Sequence, residues 1–239
     1  MEVEWNTIAI WHLHRQMSLR LTRRLAPLLS RRRFVVYLFD LRSQPLPDLT
    51  PALKVRFSTD ADCVFECLRA TPNEYEMERR DLASFQRRLS EGEICFSAWV
   101  ENKLAFHGWI QFRCRKPAPW TQIPISTGSA FIHRCATHAA FRGQKIYPSA
   151  LAFALRELKG KGIERVFIDH AVENVSSRRG IERVGATPVG NYTLFSFCFV
   201  RWARFEPRVR AAISGHADSP RFPQLPTPQP VRQCCGAHE

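Results

Sequence analysis

The chain has 239 residues, 45% of them hydrophobic, and a formal net charge of +13 at pH 7. That hydrophobic fraction is ordinary for a globular protein and excludes a disordered or fibrous chain. The positive charge is densest at the N-terminus, where residues 1–33 carry seven arginines against Glu2 and Glu4. Arginine far outnumbers lysine. We attribute this to the coding bias of a GC-rich bacterial genome, so it is poor evidence for nucleic-acid binding, and no nucleic-acid partner is expected.

The eight cysteines form no C-x-x-C pair and show no Cys/His spacing typical of a zinc site. Reduced, buried thiols and no bound metal are therefore expected. No secretory signal or apolar stretch long enough to cross a bilayer is evident in the sequence. These features favour a cytoplasmic protein, with a peripheral position at the inner face of a membrane as the alternative.

Residues 6–29 have apolar residues at mostly helical spacing, with arginines and histidines between them. This pattern predicts a basic amphipathic helix, and we expect residues 1–33 to form an arm outside the main domain. Two interpretations of residues 6–33 remain open. The helix packs on the domain or on a second subunit of a homodimer, which we favour, or it binds an anionic membrane surface or an acidic partner.

The rest of the chain predicts alternating strands and helices. The expected strands cover residues 34–41, 53–59, 93–100, 104–112, 130–137, 164–172 and 191–202, and the expected helices cover residues 60–70, 76–90, 148–159 and 173–185. Thr59 or Asp60 is expected to cap the first of these helices, and Asn174 or Ser176 the last. The order predicts a mixed α/β sheet with antiparallel pairs early and a helical crossover late.

Composition divides the chain further. Residues 34–52 read as a strand followed by a proline-rich linker, and the main domain is expected to span residues 53–205. Residues 206–239 are polar and proline-rich, which predicts a disordered tail.

One turn carries the first functional signal. Arg142, Gly143, Gln144 and Lys145 lie between a predicted strand and a predicted helix, and Pro148 fits the first turn of that helix. Unpaired amides at a helix N-terminus, the helix dipole and two cations suit an anion such as a phosphate.

At this point the sequence resembles the GNAT superfamily of acyl-coenzyme A-dependent N-acyltransferases, over about residues 53–200. The coenzyme A turn of that family reads Arg/Gln-x-x-Gly-x-Gly/Ala and corresponds here to residues 142–147. A second motif, an Asn after a strand and a Gly after the next helix, corresponds to Asn174 and Gly185. The spacing between the two motifs also matches.

The sequence departs from the family pattern in four places. Lys145 and Tyr147 replace the two motif glycines, and Ala186 replaces a common Phe. Ile181 stands where many members have a Tyr that is thought to protonate the leaving thiolate, so the general acid is unassigned.

The resemblance implies acetyl-coenzyme A, or another acyl-coenzyme A, as co-substrate. The residues implied to bind it are Cys135, Ala136, Thr137, Arg142, Gly143, Gln144, Lys145, Ile146, Tyr147, Asn174 and Ser177. The pyrophosphate would lie on the turn, Asn174 would contact the pantetheine arm or a water, and the diverging strand around residues 134–138 would supply oxyanion donors.

Several side chains are candidates for the general base that the amine acceptor needs. They are His133, His138, Asp169, His170 and Glu173. We rank His133 and Glu173 first and place Asn174 with them as catalytic. Strand alternation predicts that His133 shares a face with Cys135 and Thr137. Cys135 lies near the expected thioester, but direct attack by the amine is favoured over an acyl-cysteine intermediate.

The sequence therefore predicts an N-acyltransferase, most simply an N-acetyltransferase, for a small amine, an aminoacyl group or an amino sugar. Two alternatives remain open. One is an enzyme that takes its acyl group from an acyl carrier protein, whose acidic surface would suit the basic chain. The other is a non-catalytic GNAT-fold module, motivated by Lys145 and Ile181.

Overall fold

The computed structural model describes residues 29–43, 45–49, 54–70, 79–112, 125–197 and 200–214. These residues form one eight-stranded sheet with the strand order β2-β3-β4-β5-β6-β1-β7-β8. The strands are β1 (Leu29–Asp40), β2 (Val55–Ser58), β3 (Ile94–Val100), β4 (Lys103–Gln111), β5 (Ser129–Thr137), β6 (Arg165–Ala171), β7 (Thr187–Phe197) and β8 (Val200–Phe205). All neighbouring strands are antiparallel except β5 and β6, so the predicted mixed sheet is confirmed.

Five helices accompany the sheet in the described part of the chain. They are α1 (Ala61–Ala70), α2 (Arg79–Ser90), α3 (Ile146–Gly160), α4 (Val175–Arg183) and α5 (Pro207–Ser214), with a short 3-10 turn at Ala139–Phe141. The predicted caps are present, because Asp60 accepts a hydrogen bond from the Cys63 N–H at 3.0 Å and Asn174 accepts one from the Ser177 N–H at 3.0 Å. No described helix is long and apolar enough to cross a bilayer.

The helices cover the sheet on both sides. On the front face, α3 and α4 pack on a core that contains Leu151, Leu155 and Ile181. On the back face, α1 and α2 cover one cluster around Trp109, and α5 covers a second one around Phe131. The apolar stripes of the helices and the alternation of the strands therefore account for a two-sided core.

The first strand differs from the sequence expectation. Residues 34–41 were predicted as a strand outside the domain that begins at residue 53, yet β1 lies inside the sheet, hydrogen-bonded to β6 on one side and β7 on the other. Its core residues Val36 and Phe39 are fully buried. The strand also begins at Leu29, so residues 29–33 belong to the sheet and not to the N-terminal arm. The helix expected over residues 6–28 lies outside the described residues.

The C-terminal part differs as well. Residues 191–202 were predicted as one last strand, but this range holds the end of β7 and the start of β8, which pair with each other in antiparallel fashion. The prediction of disorder from residue 206 is wrong for residues 207–214, which form α5 and bury Val209 and Ile213 against the back of the sheet. Residues 215–239 lie outside the described part of the chain.

Candidate active site

The parallel strands β5 and β6 are paired only at their beginnings. Residues 129–132 of β5 pair with residues 165–168 of β6, and the remaining residues of β5 form no pairs with β6. Parallel strands that separate in this way open a gap in the middle of the sheet and leave backbone groups of both strands unpaired at its edges. This gap lies next to the N-terminus of α3, which follows β5 in the chain.

A β-bulge in β5 accompanies the divergence. Trp109 of β4 pairs with His133, but His107 of β4 pairs with Ala136, so β5 has one residue more than β4 at this point. Arg134, inside the bulge, has φ 49°, in the left-handed region that few residues other than glycine adopt. Nothing in the residue types of this strand announces the bulge.

The bulge changes which side chains share a face. Cys135 packs against the core of the front face, whereas His133 lies with Trp109 on the back face. The expectation that His133 shares a face with Cys135 and Thr137 is therefore wrong, because it assumed strict alternation through residue 134.

A cavity of about 620 Å³ opens where β5 leaves β6, between the first turn of α3 and the length of α4. Its walls include Cys135, Ala136, Thr137, Phe141, Arg142, Gly143, Lys145, Ile146, Tyr147, Pro148, Asn174, Ser176, Ser177, Arg179, Gly180 and Arg183. Four of these residues are cationic and, among the described residues, no carboxylate lines the cavity. The cavity is therefore suited to an elongated anion.

The turn before α3 keeps the backbone shape that the glycine-rich motif would give. Gly143 has φ 79°, and Lys145, the N-cap residue of α3, has φ 59° and ψ 14°. The Lys145 side chain makes no capping hydrogen bond to the helix. Because the first N–H groups of a helix have no partner within it, the amides at Ile146 and Tyr147 are available to an anion in the cavity.

A left-handed Lys145 gives a stability prediction. Replacing Lys145 with Gly is expected to raise the free energy of unfolding by about 1 kcal/mol, because glycine adopts a positive φ without steric cost. The same change should weaken anion binding, because it removes an ammonium group from the cavity wall. Urea denaturation measures the first effect, and Gly143→Ala is the matched control, expected to destabilise the protein. Equal or lower stability of Lys145→Gly would contradict the assigned backbone conformation.

Tyr147 occupies the position of the second motif glycine, and a glycine on the facing helix α4 leaves space for its ring. Its hydroxyl lies 3.2 Å from Ser177 Oγ, so the side chain bridges α3 and α4. A Cβ atom added at Gly180 would lie 2.7 Å from Tyr147 Cε1. The large residue in the turn is thus accommodated by the absence of a side chain on the facing helix. Burial raises the pKa of Tyr147 well above its usual value.

Nearly all of the residues that the resemblance implied for cofactor binding lie together. Of the eleven, ten line the cavity, and Gln144 is the exception. The Gln144 side chain turns back and donates to the Ala140 carbonyl at 3.3 Å. The sequence did not single out Arg179 and Arg183, which extend the basic wall along α4. Their spacing of four residues on one helix face is the signal that could have found them.

The catalytic candidates separate in space. Asn174 lines the cavity, but its Oδ1 is already engaged by the Ser177 N–H and the Ser176 hydroxyl, as an N-cap. Glu173 is exposed in the turn before α4 and is not part of the cavity wall. His133 is on the back face, with its Nε2 3.0 Å from Glu93 Oε2.

His133 belongs to a charged cluster behind the gap. Glu93 Oε2 also lies 3.9 Å from Arg88 Nε, and all three side chains are at most 11% exposed. Burial lowers the pKa of Arg88 to about 10, and the nearby Arg134 adds to that effect. The contact between His133 and Glu93 has the distance of an ion pair but not the angles of a good hydrogen bond.

Asp169 was a candidate base in the sequence but was not ranked first. It lies on β6 at the gap and accepts a hydrogen bond from the Tyr192 hydroxyl. Burial raises the pKa of this carboxyl, and the Tyr192 hydrogen bond and the nearby His133 partly oppose that shift. Asp169 is also close enough to Cys135 and Tyr147 to raise the pKa of each, although burial is the larger cause in both. The carboxyl thus lies between the cavity and the back-face cluster.

The remaining candidates have other contacts. Burial lowers the pKa of His138 to about 4, and its Nε2 lies 3.4 Å from Nδ1 of His107. His170 is buried on the front face and donates from Nδ1 to the Ala171 carbonyl at 2.7 Å. Burial raises the pKa of the Cys135 thiol, which disfavours the thiolate that a nucleophile would need. In the described part of the chain, no group of three His, Cys, Asp or Glu side chains could hold a metal ion.

The sequence matches the acetyltransferase (GNAT) family over residues 61–186, which is more than half of the chain. The chain therefore belongs to the GNAT family.

The chain is also similar to several solved structures. A GNAT-family acetyltransferase from Colwellia psychrerythraea is 17% identical, with 71% of this chain and 57% of that one covered and a TM-score of 0.48. The GCN5-related glucosamine N-acetyltransferase region of a fungal multi-domain GH3 β-N-acetylglucosaminidase is 16% identical, with 77% and 23% covered and a TM-score of 0.51. An N-acetyltransferase from Sphaerobacter thermophilus is 16% identical, with 78% and 56% covered and a TM-score of 0.48.

At such identities these likenesses concern the fold, and the chain spans between 23% and 57% of the length of these structures. No protein of curated function matches the sequence.

Proposed function

We propose that the protein is an N-acyltransferase that moves an acyl group, most simply acetyl, from acyl-coenzyme A to an amine. The observation that carries this proposal is the cation-lined cavity of about 620 Å³ at the point where β5 leaves β6. A coenzyme A molecule is long and anionic at one end, which suits a cavity that combines a helix N-terminus with four cations.

The proposed donor site uses two groups of residues. The amides of residues 143–147 bind the pyrophosphate, with Arg142 and Lys145 adding charge. Arg179 and Arg183 extend that charge along α4. Cys135, Ala136 and Thr137 border the inner end of the cavity, where the thioester would lie between the diverging strands.

In the proposed reaction the amine nitrogen attacks the thioester carbon, a C–N bond forms and the C–S bond breaks. The acceptor amine must first lose a proton, and the departing thiolate must gain one. Unpaired backbone N–H groups in the part of β5 that leaves β6 would stabilise the oxyanion, because fixed amide donors need no rearrangement during the reaction.

We propose Asp169 as the proton acceptor, assisted by His133. Both lie beside the gap, on the face of the sheet opposite α3, and the raised pKa of Asp169 brings this carboxyl closer to the range in which a base exchanges protons at neutral pH. Neither carboxylate lines the cavity, but Asp169 lies near the cavity residues Cys135 and Tyr147, whereas Glu173, which the sequence ranked higher, is exposed in the turn before α4. The Glu173→Gln variant directly tests the sequence-based ranking of the candidate bases.

We propose Tyr147 as the proton donor to the leaving thiolate. The family position for a donor tyrosine holds Ile181, whose side chain is fully buried. Tyr147 places a hydroxyl in the cavity wall from the neighbouring helix, and its raised pKa keeps that hydroxyl protonated at neutral pH. Tyr147→Phe should lower the rate of transfer while leaving donor affinity nearly unchanged.

Calorimetry with acetyl-coenzyme A tests the donor site. We expect a dissociation constant in the micromolar range, weakened about tenfold by Arg179→Ala, because a charged hydrogen bond to phosphate is lost. Arg178→Ala is the matched control: Arg178 is the neighbour of Arg179 on α4, but it pairs with Glu182 at 3.0 Å and does not line the cavity. Equal losses in the two variants, or no binding at millimolar ligand, would overturn the donor assignment.

Turnover distinguishes the enzyme from a binding module. Free thiol release from acetyl-coenzyme A should rise on addition of an acceptor from a panel of small amines, aminoacyl compounds and amino sugars. Tight donor binding without thiol release across that panel would favour the non-catalytic alternative.

A further inference from the structure

The front face of the sheet is open where it extends beyond α4. Strand pairing places Arg31, Phe195 and Trp202 in one row across β1, β7 and β8. Arg33 and Arg204 lie in the next row on the same face. This face is continuous with the one that α3 and α4 cover, because β1 runs through both parts without changing its alternation.

Exposed apolar groups gather at the same place. Among the described residues, the exposed large hydrophobic side chains are Val172, Val175 and Trp202, which are 44%, 50% and 40% exposed. The Val172 N–H donates to the Arg33 carbonyl at 3.0 Å, which puts Val172 beside the rows of arginines. Trp202 is exposed even though its ring is stacked on Phe195 with centroids 5.3 Å apart. We call Arg31, Arg33, Val172, Phe195, Trp202 and Arg204 the front-face patch.

The patch is also basic. Arg31, Arg33 and Arg204 are exposed, and within the described chain none of them forms an ion pair within 4.0 Å. Arg33 lies near Glu206, whose pKa is lowered mainly by its hydrogen bonds to Asn191 and less by Arg33. Three exposed cations and the exposed side chains of Trp202 and Val172 therefore lie on one face of the sheet.

We infer that the front-face patch binds the anionic surface of a lipid bilayer. The arginines would meet the phosphate head groups, while Trp202 and Val172 would enter the boundary between head groups and acyl chains. Tryptophan is enriched at that boundary, because its ring is apolar and its N–H is polar. The exposed Val172 in the same patch as the Phe195 and Trp202 rings favours lipid, because an aliphatic side chain enters acyl chains but does not stack on bases.

The charge of the preceding segment also favours an outside anion over coverage by the chain itself. Residues 1–28 join the sheet at Leu29, next to the patch, and contain four arginines against Glu2 and Glu4. That segment would bring like charge to the three arginines, whereas an anionic membrane would attract both. This inference is independent of the proposed acyl transfer.

Co-sedimentation of the full chain with vesicles tests the inference. We expect binding to vesicles of phosphatidylcholine mixed with phosphatidylglycerol, little binding to phosphatidylcholine alone, and weaker binding at high salt. Reversing Arg31, Arg33 and Arg204 to Glu together should lower the partition coefficient by about a hundredfold or more. Trp202→Ala should also lower it and should remove the shift in tryptophan fluorescence that binding causes.

The matched control reverses Lys103, Lys159 and Lys161 to Glu. These lysines are exposed and lie outside the patch, and the control variant has the same net charge as the patch variant. Equal loss in the two variants would show that net charge alone matters and would overturn the inference. So would equal binding to neutral and anionic vesicles, or patch-dependent binding to a single-stranded RNA oligonucleotide without binding to vesicles. Circular dichroism identifies any variant that fails to fold, and Trp202→Ala then carries the test.

Discussion

Asp169→Asn is expected to lower kcat by about a hundredfold or more while leaving the affinity for acetyl-coenzyme A nearly unchanged. Asparagine has the size of aspartate and can still accept the hydrogen bond from the Tyr192 hydroxyl. It cannot take a proton from the acceptor amine. The loss should therefore appear in the chemical step, and the rise of kcat with pH that reports an ionising base should disappear.

The same substitution should make the folded protein more stable at neutral pH. Burial raises the pKa of Asp169 in the folded state, so folding favours the protonated carboxyl over the ionised one. The wild type therefore loses stability as pH rises from the unfolded-state pKa through the folded-state pKa, and Asn does not. Urea denaturation at a series of pH values should show a difference in free energy of unfolding that grows as the pH rises above the unfolded-state pKa of the carboxyl.

Other variants serve as a control and as further tests of the role proposed for Asp169. Asp62→Asn, an exposed carboxylate in the first turn of α1, should change neither kcat nor the pH dependence of stability by much. His133→Gln should lower kcat as well, because His133 is one of the groups that oppose the raised pKa of Asp169. Loss of activity in Glu173→Gln, with Asp169→Asn active, would restore the sequence-based ranking and reject Asp169.

Much of the fold was predictable from the sequence, because apolar periodicity and capping residues act locally. The β3–β4 hairpin, the crossover through α3 and the Asn174 cap all follow from such patterns. The position of β1 was not predictable in this way. An apolar strand before a proline-rich stretch does not specify its partners, and β1 pairs with strands more than a hundred residues later in the chain.

The candidate site also has a part that local sequence patterns predict and a part that they do not. The turn at residues 142–147 could be found, because its shape depends on neighbours in the chain and its motif survives the replacement of two glycines. The separation of His133 from Cys135 depends on the bulge at Arg134, which moves Cys135 to the front face while His133 stays on the back face beside Glu93. A single residue in an unusual backbone conformation changes the face of every side chain after it, and no residue type marks that position.

The effect of Gly180→Ala on the free energy of unfolding should change sign with the residue at position 147. In the wild type, the added Cβ meets the Tyr147 ring at 2.7 Å from Cε1, and overpacking of this kind costs about 1–3 kcal/mol. In a Tyr147→Ala background that contact is absent, and alanine is about 1 kcal/mol more favourable than glycine inside a helix. Gly180→Ala should therefore destabilise the first protein and stabilise the second, as measured by urea denaturation of all four variants.

Donor binding should follow the same pattern, because Tyr147 and Gly180 both line the cavity. Gly180→Ala alone should weaken acetyl-coenzyme A binding by displacing the Tyr147 ring, and the double variant, with small residues at both positions, should recover it. Tyr147→Phe is the control that keeps the ring: in that background Gly180→Ala should still destabilise the protein, although the proposed proton donor is gone. Additive effects of the two substitutions would show that Tyr147 and Gly180 do not form the coupled pair that lets a glycine-motif turn hold a tyrosine.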